Sequence, residues 1–173
     1  MADTNGPTNG HPRLVLLVDT DPGTRRVVAA ALASSGLDVV QARDSAAALE
    51  ILQRVPERFR LVILSLEMPG LSGSVLLTTL RLLRPELPVV CVSGAELAPA
   101  GASRCVGKPL KPELLGEHIA LALAGGGQPA VRDLERVSPD ALVRARQSFG
   151  KSGSLVDAAR EIARGTGEGD ANG

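Results

Sequence analysis

The chain has 173 residues, 44% of them hydrophobic, with 19 basic side chains balanced by 19 acidic ones; this is enough for one well-buried domain with an appendage and short for two full-sized domains. A formal net charge of zero excludes a global field that would gather nucleic acid or an anionic membrane, and with Phe59 and Phe149 as the only aromatic residues the core must be built from Leu, Val, Ile and Ala, leaving almost nothing to stack on bases. The two cysteines, Cys91 and Cys105, lie in apolar runs and are too few for a secreted disulfide framework, so a reducing cytoplasm is the expected location.

The start, "MADTNGPTNGHP" over residues 1–12, is polar and rich in Gly, Pro and Asn. It lacks the cationic and apolar segments of a secretory signal and is expected to be a disordered leader. Apolar runs elsewhere are broken by charge or proline well before the roughly 20 residues that cross a bilayer, so a soluble protein with no membrane partner is expected.

From Leu14 onward the chain alternates short apolar runs with segments of helical period, the pattern of a parallel sheet covered by helices. The runs are "RLVLLVD", "LDVVQA", "LVILS", "PVVCVS" and "RCVGK". Between the first two, Asp21 caps a helix with Pro22 at its first position; Val28, Ala31 and Leu32 form its inner stripe and Gly36 its stop. The next helix, "DSAAALEILQRV", starts at Asp44 or Ser45 and ends before Pro56. In the third, "SGSVLLTTLRLL", Leu76, Leu80 and Leu83 recur at core-facing spacing, and Pro85 and Pro88 lead into the fourth strand. Between Ser93 and Arg104 only "GAELAPAGAS" remains, broken by Pro99 and Gly101; a full crossover needs at least about 10 to 12 residues, so the fourth helix is expected to be shortened to one turn or absent. The segment "KPELLGEHIALALA" forms the last helix of the unit, with Pro112 and Glu113 near its start and Leu115, Ile119 and Ala122 on one face.

These units make one domain over residues 13–124, closed by a glycine-rich linker at 125–129. A helical extension over 130–165 follows, read as two or three short helices separated by Ser-Pro and Gly-Lys-Ser-Gly, then a polar tail at 166–173.

In a doubly wound parallel sheet ligands bind outside the carboxyl ends of the strands. Those ends carry Asp19-Thr20-Asp21, Ser65, Ser93 and Lys108-Pro109. With these motifs in this order, "LLVDTDPGTRR", "LVILSLEMPGLSG", "PVVCVSGA" and "GASRCVGKPLKPELL" resemble the receiver domain of bacterial two-component response regulators. The resemblance implies an α/β, flavodoxin-like, five-stranded parallel sheet in the order 2-1-3-4-5, here joined to a small α-helical C-terminal extension. It also implies roles at matching positions. The adjacent acidic pair that helps hold magnesium falls on Asp19, which is kept, and Thr20, which is not; Asp21 matches a following position that is often acidic. The aspartate that accepts a phosphoryl group falls on Ser65, the hydroxyl residue that turns toward that group on Ser93, and its lysine partner on Lys108. The backbone carbonyl that completes the metal shell belongs to Glu67, and the aromatic switch position falls on Cys105.

The chemistry follows from the residue types. A carboxylate attacks a phosphohistidine directly, whereas a serine hydroxyl needs a base, and no histidine lies among the strand-end motifs. Magnesium held by Asp19 is expected to be weak or lost, leaving Asp19 and Lys108 to balance each other. Ser65 then reads as a small residue filling a former acid's place and Glu67 as a solvated loop carboxylate. Cys91 and Cys105 read as strand hydrophobes, and His118 as a structural histidine beside the last helix's stripe. The resulting expectation is a receiver-domain protein of two-component signalling, no enzyme, independent of phosphorylation and working by protein contact with a histidine kinase or another signalling protein, a homodimer being left open. Two alternatives stay beside it: a phosphorelay receiver using Glu67 or Asp21 as substitute acceptor, and a transcription regulator. The latter rests on "KSGSLVDAAREIA", where Gly153, Leu155, Asp157, Ala158, Ala159, Arg160 and Ile162 resemble a helix of Fis-like DNA-binding domains. Only "TGEGDANG" follows it, too short and acidic to lie in a major groove, so nucleic acid is disfavoured as a partner.

Overall fold

The computed structural model describes residues 14–94, 102, 104–125 and 138–166. The expected leader, residues 126–129 of the linker and 167–173 of the polar tail, the segment 130–137 and most of the stretch read as a shortened fourth helix lie outside the described residues; Gly125 and Thr166, read from the sequence as linker and tail, end helices instead. Within them the elements run β1 (Leu14–Val18), α1 (Pro22–Ala33), β2 (Asp38–Ala42), α2 (Ser45–Arg54), a 3₁₀ turn (Pro56–Arg58), β3 (Phe59–Ser65), α3 (Gly73–Leu83), β4 (Val89–Ser93), β5 (Arg104–Gly107), α4 (Pro112–Ala124), α5 (Pro139–Ser152) and α6 (Leu155–Thr166). All ladders are parallel and the sheet order is β2-β1-β3-β4-β5, so the architecture is the expected one.

Local chemistry accounts for the helix starts. The Asp21 carboxylate caps α1 by accepting from Gly23 N and Thr24 N, with Pro22 at the first position, and Asp44 caps α2 by accepting from Ala47 N. Ser72 does the same for α3 through Val75 N. Strand alternation then sorts the apolar side chains onto two faces. Leu16, Val18, Val62 and Leu64 face α2 and α3, whereas Val15, Leu17, Leu61, Ile63, Val90 and Val92 face α1 and α4. Leu115, Ile119 and Ala122 of α4 are buried there as their spacing indicates.

The extension forms a helical hairpin in which α5 packs on α6, and α6 lies against α2 and α3. Ala141, Ala145, Ala158, Ala159 and Ile162 are fully buried and belong to the same cluster as Leu49, Leu52, Leu76 and Leu80. Small residues allow the close approach: a Cβ on Gly165 would stand 2.2 Å from the Cβ of Ala141. Polar ties seat the hairpin, with Leu155 N donating to Gln53 Oε1 at 3.0 Å and Arg144 paired to Glu161 at 3.4 Å.

Two sequence expectations need correction. The helix break placed at Gly-Lys-Ser-Gly occurs only at Gly153, with φ of 64°, because α5 continues through Gly150 and Lys151 to Ser152. The buried face of α3 is wider than the Leu76, Leu80, Leu83 stripe: Val75, Leu77 and Thr79 are also buried while Leu83 is half-buried, and α6 packs against this helix.

Truncating Ile162 tests the docking. Ile162→Ala should lower the unfolding free energy by about 2–5 kcal/mol in urea titrations, and a change below about 0.5 kcal/mol, the scale of surface substitutions, would show that α6 does not pack on the domain.

Candidate functional site

The sheet order places the carboxyl ends of β1, β3, β4 and β5 side by side, with the order of the parallel strands reversing between β1 and β3. Asp19 follows β1 and is anchored there by its N–H donating to Ala42 O at 3.2 Å. Its side chain is buried, and Oδ1 accepts from Asp21 N at 2.8 Å. Arg25 reaches back from α1 to fix the same turn, donating to Asp19 O at 2.6 Å and Thr20 O at 3.2 Å. Thr20 itself is exposed.

Asp21 is directed into the helix start rather than across the cleft. Its carboxylate accepts from Thr24 N and Thr24 Oγ1, both at 2.7 Å, and from Gly23 N at 3.3 Å. The Thr24 hydroxyl, followed by the backbone amides of Thr24 and Gly23, holds the Asp21 carboxyl below its usual range.

Ser65 is the last residue of β3 and is 1% exposed. The loop after it is tightly fastened: Leu66 N donates to Val92 O at 3.0 Å and Gly73 N to Leu66 O at 3.2 Å. Only glycine fits at the start of α3, since a Cβ on Gly73 would come within 2.2 Å of Ser65 O and 2.6 Å of Leu66 Cα. This fastening sends Glu67 over the end of β4. Its Oε1 accepts from Ser93 Oγ at 2.6 Å and from Gly94 N at 3.0 Å.

Lys108 enters from the end of β5, positioned by its N–H donating to Ser93 O at 2.9 Å, and the Lys108–Pro109 peptide is cis. Its ammonium donates to Ser65 Oγ at 3.2 Å and lies 3.6 Å from Glu67 Oε2 and 3.9 Å from Asp19 Oδ2. The site residues expected from sequence at Asp19, Ser65, Glu67, Ser93 and Lys108 are therefore brought together. Thr20 stays at the rim, and Asp21 turns away into α1.

Two readings of individual charges change. The Asp19–Lys108 balance is shared, because Glu67 is the nearer carboxylate to the ammonium. Glu67 is not a merely solvated loop residue: its side chain is half exposed yet held by two hydrogen bonds and a cation. Burial alone would raise its pKa; the Ser93 hydroxyl, the Gly94 amide, its own backbone amide and the Lys108 charge outweigh that and set it below the ordinary glutamate range. Sequence reasoning did not single out Arg25, Thr24 or Gly94. The signals were weak: an Asp-x-x-Thr cap, an arginine at the end of a helix's first turn, and a Ser-Gly pair closing a strand.

Cys105 lies on β5 in register with Cys91 on β4. Burial pushes both thiols up, Cys91 far above the usual range, which suits inert strand residues. His118 is half-buried on α4, and its Nδ1 is buried with no hydrogen-bond partner among the described residues. Among the described residues no three His, Cys, Asp or Glu side chains cluster closely enough to hold a metal ion.

Residues 15–120 match the model of the response regulator receiver domain. The chain is 33% identical over 113 residues to the response regulator protein FleR of Pseudomonas aeruginosa, covering 61% of this chain and 24% of that protein. It is 35% identical over 82 residues to the transcriptional regulatory protein GlrR of Escherichia coli, covering 47% of this chain and 18% of that one. The chain thus spans at most about a quarter of these two relatives. Among solved structures, the receiver domain of NtrX from Brucella abortus superposes with a TM-score of 0.58 at 31% identity, covering 64% of this chain and 98% of that one.

The depressed Glu67 pKa makes a signed prediction. A carboxyl whose folded pKa lies below its unfolded value contributes stability that is complete above the unfolded value and lost as pH falls through the folded one. The stability difference between the native chain and Glu67→Gln should therefore be largest above pH 4.5, the ordinary value for a glutamate, and shrink in acid. A difference that grows in acid would contradict the assigned contacts.

Proposed function

The chain belongs to the response regulator receiver domain family, and we propose that within it this protein is a two-component signalling module that works by protein–protein contact and takes no phosphoryl group. Receiver domains are signalling domains rather than enzymes. The observation that carries the reading is the end of β3, where Ser65 supplies a buried hydroxyl already engaged by the Lys108 ammonium at 3.2 Å. At this position the family places the aspartate that accepts the phosphoryl group. A hydroxyl needs a general base to become a nucleophile, and the carboxylate nearest the same cation, Glu67, already accepts two hydrogen bonds.

The donor set is a poor one for magnesium. Such a site draws on one or two carboxylates beside phosphate oxygens and waters; here Asp19 is the only carboxylate of the Asp19-Thr20-Asp21 run left facing the pocket, Thr20 is neutral, and Asp21 is spent on capping α1. The same contacts speak against Asp21 or Glu67 as a substitute acceptor, since each carboxylate is already engaged by neighbouring donors.

The expected partner is a histidine kinase or another signalling protein. No helix among the described residues is long and apolar enough to cross a membrane. Against DNA as the partner stand the buried Ala158, Ala159 and Ile162 of α6, which face the domain and α5. Arg144, Arg160 and Arg164 are paired with Glu161 or Asp157, so three of the five basic side chains of the described hairpin are offset by acids.

Restoring the acid alone should not restore the chemistry, because the metal donors also need Thr20→Asp. After incubation with a phosphorylated histidine kinase or a small phosphoryl donor and magnesium, the Ser65→Asp variant should show no acid-labile mass increase. Efficient labelling of that single variant would overturn this account of the pocket. In a parallel assay, the intact chain should show no salt-dependent binding to duplex DNA; such binding, lost when residues after Gly127 are removed, would instead establish the DNA-binding reading.

A further inference from the structure

Three hydrogen-bond donors converge just outside the ends of β4 and β5: the Ser93 hydroxyl, the Gly94 backbone amide and the Lys108 ammonium. A hydroxyl, a backbone N–H and a cation together form the donor set that a compact oxyanion requires, and hydrogen bonds from such groups to a charged acceptor are stronger than neutral ones. In this chain all three meet one carboxylate. Glu67 Oε1 accepts from Ser93 Oγ at 2.6 Å and Gly94 N at 3.0 Å, while Oε2 lies 3.6 Å from Lys108 Nζ.

Ser93 and Lys108 stand at the positions through which the receiver family engages its phosphoryl group, and we propose that in this chain the resident ligand of these donors is its own Glu67, so that the site is held in its anion-occupied arrangement and closed to a free tetrahedral oxyanion. The proposal deepens the phosphorylation-independent reading and rests on it. The backbone explains why Glu67 reaches these donors. Leu66 is tied to Val92 of β4, and the Gly73 approach to Ser65 and Leu66 holds the start of α3 against the strand, so Glu67 leaves the end of β3 directly beside the end of β4. Tethering makes this an intramolecular competition. Even a short flexible tether gives an effective concentration of about millimolar, and a side chain fixed within hydrogen-bond distance exceeds that. A free oxyanion must also displace a carboxylate that remains ionised at neutral pH, held there by the contacts it makes. Ser65 completes the arrangement from the side, because its hydroxyl accepts from Lys108 and aims the ammonium across the pocket toward Glu67.

The test uses the full chain, labelled with ¹⁵N, and inorganic phosphate as the probe at constant pH and ionic strength, with sulfate as a second oxyanion and chloride as the control. In Glu67→Ala the Gly94 amide resonance should shift saturably with phosphate and with sulfate but not with chloride, and the native chain should show no saturable shift over the same range. Saturable binding at Gly94 in the native chain would overturn the proposal, since the resident carboxylate would then exclude nothing. Absence of binding in a folded Glu67→Ala variant would overturn it as well, because the donors would not form an oxyanion site. Should that variant fail to fold, Glu67→Gln decides: with the carboxylate charge removed, phosphate and sulfate should shift the Gly94 amide saturably, and no shift in that folded variant would overturn the proposal. Covalent labelling of the native chain by a phosphoryl donor, read separately by intact mass, would remove the phosphorylation-independent reading without altering the phosphate titration, so the two failures are distinguishable.

Discussion

The pocket is organised by the ammonium of Lys108 and by which anion answers it. This cation is carried at the end of β5 by a backbone hydrogen bond to Ser93 O, and its side chain is one-third exposed, so protein groups as well as water surround its charge. Three groups face it at 3.2, 3.6 and 3.9 Å, namely Ser65, Glu67 and Asp19. Because the residue at the end of β3 is neutral, the charge must be met from elsewhere, and the β3–α3 loop meets it with Glu67. Carboxylates gathered without a cation repel one another; here two carboxylates share one ammonium, and the negative charge left over is spread over the neutral donors that Asp19 and Glu67 accept from.

The remainder of the fold keeps that arrangement rigid. The strand ends are held by a sheet whose central strands are buried on both faces, and close-packed interiors of this kind have low compressibility and resist small shifts. The C-terminal hairpin adds to the α2–α3 side of the core, where α6 contributes Ala158, Ala159 and Ile162 to the cluster that contains Leu49 and Leu76. The hairpin thus covers a face of the domain away from the strand ends. That leaves α4 with exposed Leu114 and Leu121, and α1 with exposed Val27, on the opposite side of the sheet.

Much of this was legible in the sequence because its signals were local and redundant. Continuous apolar runs gave the parallel sheet, Asp21-Pro22 and Asp44 gave helix starts, and Leu115, Ile119 and Ala122 gave the inner face of the last domain helix. The pocket residues Asp19, Ser65, Ser93 and Lys108 followed from strand ends read in order. What was illegible depended on contacts between distant segments. The wide buried face of α3 is marked in its own sequence by Val75 and Leu77 beside the leucine stripe, but what covers it is not, because the helix packed against it lies some eighty residues later. The passage of α5 through Gly150 reflects tertiary packing overriding a weak helix former. The placement of Glu67 depends on where the Ser93–Gly94 turn presents its donors, and no periodicity encodes that.

The central claim is that the pocket is chemically closed, its cation answered from within and its nucleophile absent. The most direct measurement follows the native chain by ¹H–¹⁵N NMR during titration with magnesium and then with a small phosphoryl donor. This account predicts that the resonances of Asp19, Ser65, Ser93, Gly94 and Lys108 stay in place through both additions. Saturable magnesium shifts at these residues, followed by a second set of signals in slow exchange and an acid-labile adduct, would contradict it.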